Sequence, residues 1–325
     1  MANARSLLKR RGTAAAVVAL VAALVVSAGL VGGCSGTTSK AATSTGTTGA
    51  GKAVGTFPLT ITDDASRTVT IESAPARIVS LAPANTEILY ALGVFDRLVG
   101  VTTYDDYPAQ VKDVAKVGDF MTPNLEAIAA AKPDVVLVTG GVQAETLGKL
   151  EELGVPVVVI DPQNLEGVYT AIANVSEICG VPDKGMEVIG KMKSDLADIK
   201  SKLAGAEPVK AFIEIGWNPL FTAGPGTLLD ELLSAAGGAN VVSEKGYVGY
   251  SVEQLVKDQP EVYLGTLSSI GNAESLAKRP GYSALTAVKN GRVYGLDDNL
   301  VSRPGPRVIE GVRLIAASLH PSLFN

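Results

Sequence analysis

An α/β fold in two lobes, each built on a parallel sheet and joined by one long helix, is what this sequence predicts, and three observations lead there. From Arg77 onward, short unbroken apolar runs ("RIVSL", "RLVGV", "DVVLV", "VPVVVI") alternate with helical patterns. Strands that are apolar on both faces belong in a parallel sheet covered on both sides. The stretch "PNLEAIAAAKPDVVLVTG" is then echoed 127 positions on, Pro123 to Tyr250, by "YSVEQLVKDQPEVYLGT". An internal repeat of helix, Pro and strand implies two lobes built alike. Between them, residues 182–205 form a helical stretch with no strand, with Met186, Ile189, Met192, Leu196, Ile199 and Leu203 at three-to-four spacing.

Taken in order, residues 1–33 read as an export leader: Arg5, Lys9, Arg10 and Arg11, then the apolar run "GTAAAVVALVAALVVSAGLVGG". "LVGGC" resembles a bacterial lipobox, in which the leader is cut before a cysteine that becomes diacylated, so Cys34 is the expected lipidation site. The alternative is an uncleaved anchor, because a run of about 20 apolar residues can span a bilayer. Residues 34–56, rich in Ser, Thr and Gly, read as a flexible tether. An N-terminal lobe is expected over 57–180, opening with a hairpin at 57–73 that turns at "DDASR". The interlobe helix is expected at 181–206, between Pro182 and Gly205. The C-terminal lobe follows at 207–325, with strands at "VKAFIEIG", "NVV", "EVYLG" and "RVYGL". Gly93 and Gly237 suit left-handed helix ends.

Composition narrows the function. The chain has 325 residues, 46% of them hydrophobic and 19% charged, which is ordinary for a packed protein of two lobes. Without residues 1–33 the net charge falls from -5 to -9, with 24 Lys and Arg against 33 Asp and Glu, so nucleic acid is not an expected partner. Cys34 and Cys179 write no disulfide framework, and Cys179 reads as a small buried residue. The only histidine, His320, has no Ser or Cys elbow to serve, and zinc capture needs several imidazoles. No enzyme activity, metal site or cofactor is expected. A nucleotide-sugar transferase would also suit two lobes and a cleft, but its donor is absent outside the membrane. A ligand-sensing lipoprotein or an extracytoplasmic enzyme with a two-lobe cleft is the alternative of another class.

In open parallel sheets ligands bind beyond the carboxyl ends of the strands. The loops that follow these strands carry Tyr104, Tyr107, Phe120, Trp217, Phe221 and Arg303, although aromatics make up only 5% of the chain. Two such rims facing each other would form an aromatic, weakly polar cleft. Interlobe packing is the alternative for Trp217, although its place straight after a strand favours a cleft wall; Tyr104 could equally be part of the local "DDYP" turn, and Arg303 could cap the last helix loop or pair with a carboxylate. Glu126 and Glu253 fall at the second helical position of each repeat. There they favour the helix dipole by about 0.3–1 kcal/mol each.

"RIVSLAPANTEILYALG", "VGVTTYDDYP", "NLEAIAAAKPDVVLV", "PLFTAGPGTLLDELLSAAGG" and "SRPGPRVIEG", in that order, resemble the periplasmic binding proteins of ABC importers for cobalamin, haem and ferric siderophores. The resemblance runs from about Phe57 to the C-terminus. It implies two Rossmann-like lobes joined by one long helix, a ligand held between them, and no catalysis. "PANTE" and "TTYDDYP" are most similar to the cobalamin-binding members, which implies that Tyr104, Phe120 and an aromatic of "GWNPLF" border a corrin ring. A tryptophan expected at 247–250 is replaced by "YVGY", leaving Tyr247 or Tyr250 to substitute, and a ferric siderophore or haem as the alternative ligand. The resemblance further implies that Glu126 and Glu253 dock onto an ABC permease dimer coupled to its ATPase, with helix-dipole stabilisation as the other account of the pair.

Overall fold

The computed structural model describes residues 55–324; the leader, Cys34 and the tether up to residue 54 lie outside the described residues. Among the described residues no helix is long and apolar enough to cross a membrane.

The chain enters through an antiparallel hairpin, β1 (Leu59–Thr62) and β2 (Thr68–Ile71). The first sheet follows, with β3 (Ile78–Ser80), β4 (Leu98–Gly100), β5 (Val135–Val138) and β6 (Val157–Val159) in the order β4-β3-β5-β6, all parallel. Every residue of β3, β5 and β6 is buried, as expected for apolar runs covered on both faces. The hairpin is strapped to β6. Asp63 accepts from the Arg67 backbone and guanidinium and from Val159 N at 3.1 Å, and Arg67 donates to Val157 O at 2.9 Å. Burial raises the Asp63 carboxyl, but these donors outweigh it and hold the group below the ordinary aspartate range.

The helices of this lobe are α1 (Pro83–Ala91), α2 (Leu125–Ala130), α3 (Leu147–Glu151) and α4 (Leu165–Ile178). Next comes α5 (Pro182–Lys202), 21 residues with Pro at its first turn and Lys200 and Lys202 in its last, where each suits the helix ends. It packs against α4 and against a helix of the second lobe, Val308–Leu319. Its buried positions are Gly185, Met192 and Ile199, seven apart. Met186 departs from the expected stripe and is exposed. A Cβ at Gly185 would sit 2.2 Å from Ser176 Oγ, so the first turn of α5 lies against α4 through the glycine, which leaves Met186 outside the seam. Cys179 is buried as expected, and burial pushes its thiol up to about 12.

The second lobe is built on β7 (Val209–Gly216), β8 (Phe221–Ala223), β9 (Gly238–Asn240), β10 (Tyr247–Gly249), β11 (Val262–Thr266) and β12 (Val293–Leu296). Its helices are α6 (Leu228–Ala235), α7 (Val252–Asp258), α8 (Leu267–Ile270), α9 (Ala273–Ala277), α10 (Thr286–Lys289), α11 (Asp298–Val301), α12, the Val308–Leu319 helix already met, and α13 (Pro321–Phe324). The strand order is β10-β8-β7-β11-β12, with β9 on the first residues of β7. β9, β7, β11 and β12 are parallel, whereas β8 and β10 run antiparallel as a ribbon, an addition that the apolar runs did not announce.

The repeat is kept at atomic detail. Asn124 and Ser251 cap α2 and α7, accepting from Ala127 N and Gln254 N, each at 3.0 Å. Ile128 and Leu255 are the fully buried anchors, and Lys132 and Gln259 both take φ of 45° before Pro133 and Pro260. Gly93 and Gly237 adopt the left-handed conformation, with φ of 74° and 79°.

Candidate ligand-binding cleft

A cleft of about 410 Å3 lies where the two sheets present their strand ends to each other. On the first lobe it is lined by the segment after β3 (Ala82–Asn85), by Phe120, by Thr139 after β5 and by Ile160–Gln163 after β6. The second lobe contributes Gly226–Leu228, Gly246, Tyr247 and Ser302–Pro304.

Phe120 sits on a loop with no regular structure of its own, so its position has to be imposed. Gln143, buried, does this: its side-chain amide donates to Phe120 O at 2.9 Å and to Leu81 O at 2.6 Å, and its Oε1 accepts from Thr139 N at 2.9 Å. Asn85 ties α1 to β5 by donating to Val138 O at 3.2 Å. Thr139 Oγ1 donates to Asp161 Oδ1 at 2.9 Å, joining two strand ends along the floor.

Across the cleft, the ribbon presents aromatics by its register. Tyr247 pairs with Ala223 and Phe221 with Gly249, so the two rings share one face as diagonal neighbours with only small residues opposite. Both are exposed, Tyr247 at 56%. The ribbon sits close over the "AGPG" turn: a Cβ at Gly224 would lie 1.7 Å from Glu244 O, so glycine is required there.

Arg303 crosses between the lobes. Its Nη1 reaches Asp106 Oδ1 at 2.6 Å and Glu87 Oε1 at 2.9 Å, and Nη2 donates to Tyr104 O at 3.3 Å. Asn299 donates to Asp106 Oδ2 at 3.1 Å, and Arg307 lies 3.5 Å from Glu87 Oε1 and over the Tyr107 ring at 4.2 Å. Glu87 is buried, and burial raises its pKa against the pull of Arg303 and Arg307. Asp106 is also raised by burial, but Arg303 and Asn299 outweigh that and bring it below the usual range. The Arg303 charge is therefore neutralised before any ligand arrives. On the other flank, Leu165 N of α4 donates to Glu231 Oε2 of α6 at 2.8 Å, a second polar tie between the lobes.

The residues singled out from the sequence do not all converge. Phe120 and Arg303 line the cleft. Tyr104 is 59% exposed and gives Arg303 its carbonyl, while Phe221 stands beside Tyr247 on the ribbon. Trp217, 39% exposed, follows the end of β7 outside the cleft lining. Tyr250 departs from expectation: its ring packs on Phe212 at 5.4 Å, its hydroxyl donates to Asp258, and it does not line the cleft, so of the two tyrosines in "YVGY" Tyr247 takes that place. The reason is alternation, since 247 and 250 fall on opposite sides of an extended segment. Glu126 and Glu253 are exposed and enter no ion pair among the described residues. Sequence reasoning missed Gln143 and Glu87. Neither was singled out, because the contacts that count here, Gln143 to Leu81 and Phe120 and Glu87 to Arg303 and Arg307, join residues distant in the chain.

A family profile described as periplasmic binding protein matches residues 78–300. The chain belongs to that family. Among curated periplasmic binding protein relatives, an uncharacterized ABC transporter substrate-binding lipoprotein, YvrC of Bacillus subtilis, is 40% identical over 83% of this chain and 88% of that one. The solved periplasmic vitamin B12-binding protein of Vibrio cholerae is 30% identical, covers 78% of this chain and 99% of its own, and superposes with a TM-score of 0.68. A structure from Staphylococcus epidermidis, described as a possible iron-binding (periplasmic solute-binding) protein, is 31% identical over 76% of this chain and 100% of that one, with a TM-score of 0.69. The two-lobe fold of this family is the fold described above.

Proposed function

We propose that the protein is the substrate-binding component of an ABC importer and that it captures a corrinoid, cobalamin, between its lobes. The observation that carries this reading is the electrical character of the cleft. Its charged lining side chains are Asp161 and Arg303, and Arg303 is already paired with Glu87 and Asp106. Aromatic Phe120 and Tyr247 and neutral hydrogen-bonding groups such as Asn85, Thr139, Gln163 and Ser302 make up the rest of its polar and ring character. That suits a large ring compound edged with amides better than an anionic iron chelate, which would call for an unpaired cation. The vitamin B12-binding relative supports the choice. A ferric siderophore or haem is the competing ligand, supported by the relative described as a possible iron-binding protein.

Delivery follows from the repeat. Two equivalent exposed carboxylates, Glu126 and Glu253, suit a partner that offers the same basic contact twice, as a permease dimer with its ATPase does. Anchoring through a diacylated Cys34 would keep the protein at the outer face of the cell membrane, a reading that the lipoprotein relative supports.

Calorimetric titration of the purified protein with cyanocobalamin, haemin and a ferric siderophore tests the ligand. Micromolar or tighter binding of cyanocobalamin alone is expected, and tight binding of an iron chelate with none of the corrinoid overturns it. Mass spectrometry of the native protein tests the anchor: a diacylated N-terminal Cys34 is expected, whereas a retained 1–33 segment means a membrane-spanning leader.

A further inference from the structure

Asp161, two residues past the end of β6, lines the floor of the cleft on the first lobe. Its Oδ1 accepts from the Thr139 hydroxyl at 2.9 Å, and its carboxylate enters no ion pair among the described residues. Oδ2 lies over Gly140, where a Cβ would come within 2.3 Å of it, so the missing side chain at 140 makes the room that the carboxylate occupies. The backbone is held as well. Pro162 confines the preceding residue to the extended region. Asp161 N donates to Asp64 Oδ2, and Asp64 N donates to Val159 O at 3.2 Å, which ties the segment to the N-terminal hairpin. Gln163 Nε2 donates to Asp161 O at 2.9 Å. The carboxylate is therefore in place before any ligand arrives.

The cations nearby are engaged elsewhere. Arg67 of the hairpin pairs with Asp63 and Glu151, and Arg303 across the cleft pairs with Glu87 and Asp106. Asp64, which accepts from the Asp161 backbone, sets a second carboxylate beside the first. The floor is thus negative, and walls of low dielectric concentrate that field in the cleft. A ligand carboxylate brought there would lose its water against a like charge, whereas a ligand N–H or O–H would gain a charge-assisted bond to Oδ2.

We propose that Asp161 is a specificity-determining residue of the cleft: it accepts from an amide, hydroxyl or ammonium group on the edge of the ligand and rejects the same ligand with a carboxylate at that point, an inference that rests on the chelate-binding reading above. Discrimination between close analogues comes from a repulsive element as well as an attractive one, and a fixed carboxylate supplies both. Thr139 and Gly140 set its position, and its charge sorts the ligands.

Calorimetric titration of the purified full-length protein and of Asp161→Asn and Asp161→Ser tests this with ligands that differ only in charge at the edge. The pairs are cyanocobalamin with its monocarboxylic acids, in which one peripheral amide is hydrolysed; the dimethyl ester of haemin with haemin; and ferrioxamine B, which carries a free ammonium, with its N-succinyl derivative, which carries a carboxylate instead. For the parent, at least one corrinoid monocarboxylic acid is expected to bind about 10-fold or more weakly than cyanocobalamin, and in both variants that ratio is expected to fall to about 3-fold or less. Because the readout is a ratio between two ligands on one protein, a general loosening of the site lowers both affinities and leaves the ratio where it was. A ratio that survives both substitutions overturns the assignment, and so does a parent that binds every monocarboxylic acid as tightly as cyanocobalamin. If the parent binds no corrinoid, the cobalamin choice fails while Asp161 stays under test: the haemin ester and ferrioxamine B should then bind more tightly than haemin and the succinyl derivative, with the difference erased in both variants. The reverse preference, or none, overturns the assignment, and a parent that binds no member of the three pairs overturns the chelate reading together with it.

Discussion

In the first lobe the cleft wall is made of loops that leave a four-stranded, wholly parallel sheet, and a buried amide, Gln143, holds Phe120 in place. In the second lobe the wall is made by the Gly226–Leu228 turn, the Ser302–Pro304 loop and Tyr247, which comes from an antiparallel ribbon grafted onto the parallel strands whose register sets Tyr247 and Phe221 side by side. Away from the cleft the two lobes repeat each other cap for cap, anchor for anchor and left-handed turn for left-handed turn. The halves therefore match on the surface that offers Glu126 and Glu253 and differ on the surface that would meet a ligand. That is the pattern expected when one partner is symmetric and the other is not.

The tie between the lobes gives the largest expected effect. Arg303→Met removes the nearer of the two cations beside buried Glu87, leaving Arg307 at 3.5 Å, and should cost about 3 kcal/mol of stability, measured by denaturant unfolding. Because burial already raises the Glu87 pKa, the folded variant takes up the proton more readily than the unfolded chain does. Its penalty should then be smallest below the ordinary glutamate range and should grow as pH rises through the folded pKa. A penalty independent of pH would mean that Glu87 is not the group left unpaired.

The symmetric surface comes next. Glu126→Lys with Glu253→Lys should leave ligand affinity unchanged and abolish uptake and ATPase stimulation, since breaking an interfacial charge pair costs about 2–5 kcal/mol of binding. If the lobes are equivalent, the two single reversals should each cost a similar share. Normal uptake by the double variant would return both carboxylates to the helix-dipole account.

The asymmetric surface should answer differently. Phe120→Ala and Tyr247→Ala are each expected to weaken ligand binding by about 1–3 kcal/mol in calorimetry, with stability nearly unchanged because both rings are at least partly exposed in the free protein. Tyr250→Phe, which removes a hydroxyl bonded to Asp258 outside the cleft lining, should leave affinity as it was. The smallest effect tests the repeat itself: Asn124→Ala and Ser251→Ala should each cost about 1 kcal/mol, and a clear inequality between them would show that the surrounding lobes use the two caps differently.

The sequence by itself determined whatever is written in local period and punctuation. The buried β-branched runs of β3, β5 and β6, the long α5 between Pro182 and Gly205, the hairpin turn at "DDASR" and the doubled cap, carboxylate and Pro are all short-range patterns whose physical meaning does not depend on distant residues. Tertiary structure alone decided the rest. Met186 left its stripe because Gly185 brings α5 against Ser176, a contact set by the α4 face. Tyr247 rather than Tyr250 reached the cleft because β10 pairs with β8 in one register and not another. Arg303 became a tie instead of a free ligand contact because Glu87 and Asp106, about 200 positions away, meet it with acceptors. Side-chain partners that far apart in the chain leave no periodic trace, so their pairing exists only once the two lobes are packed.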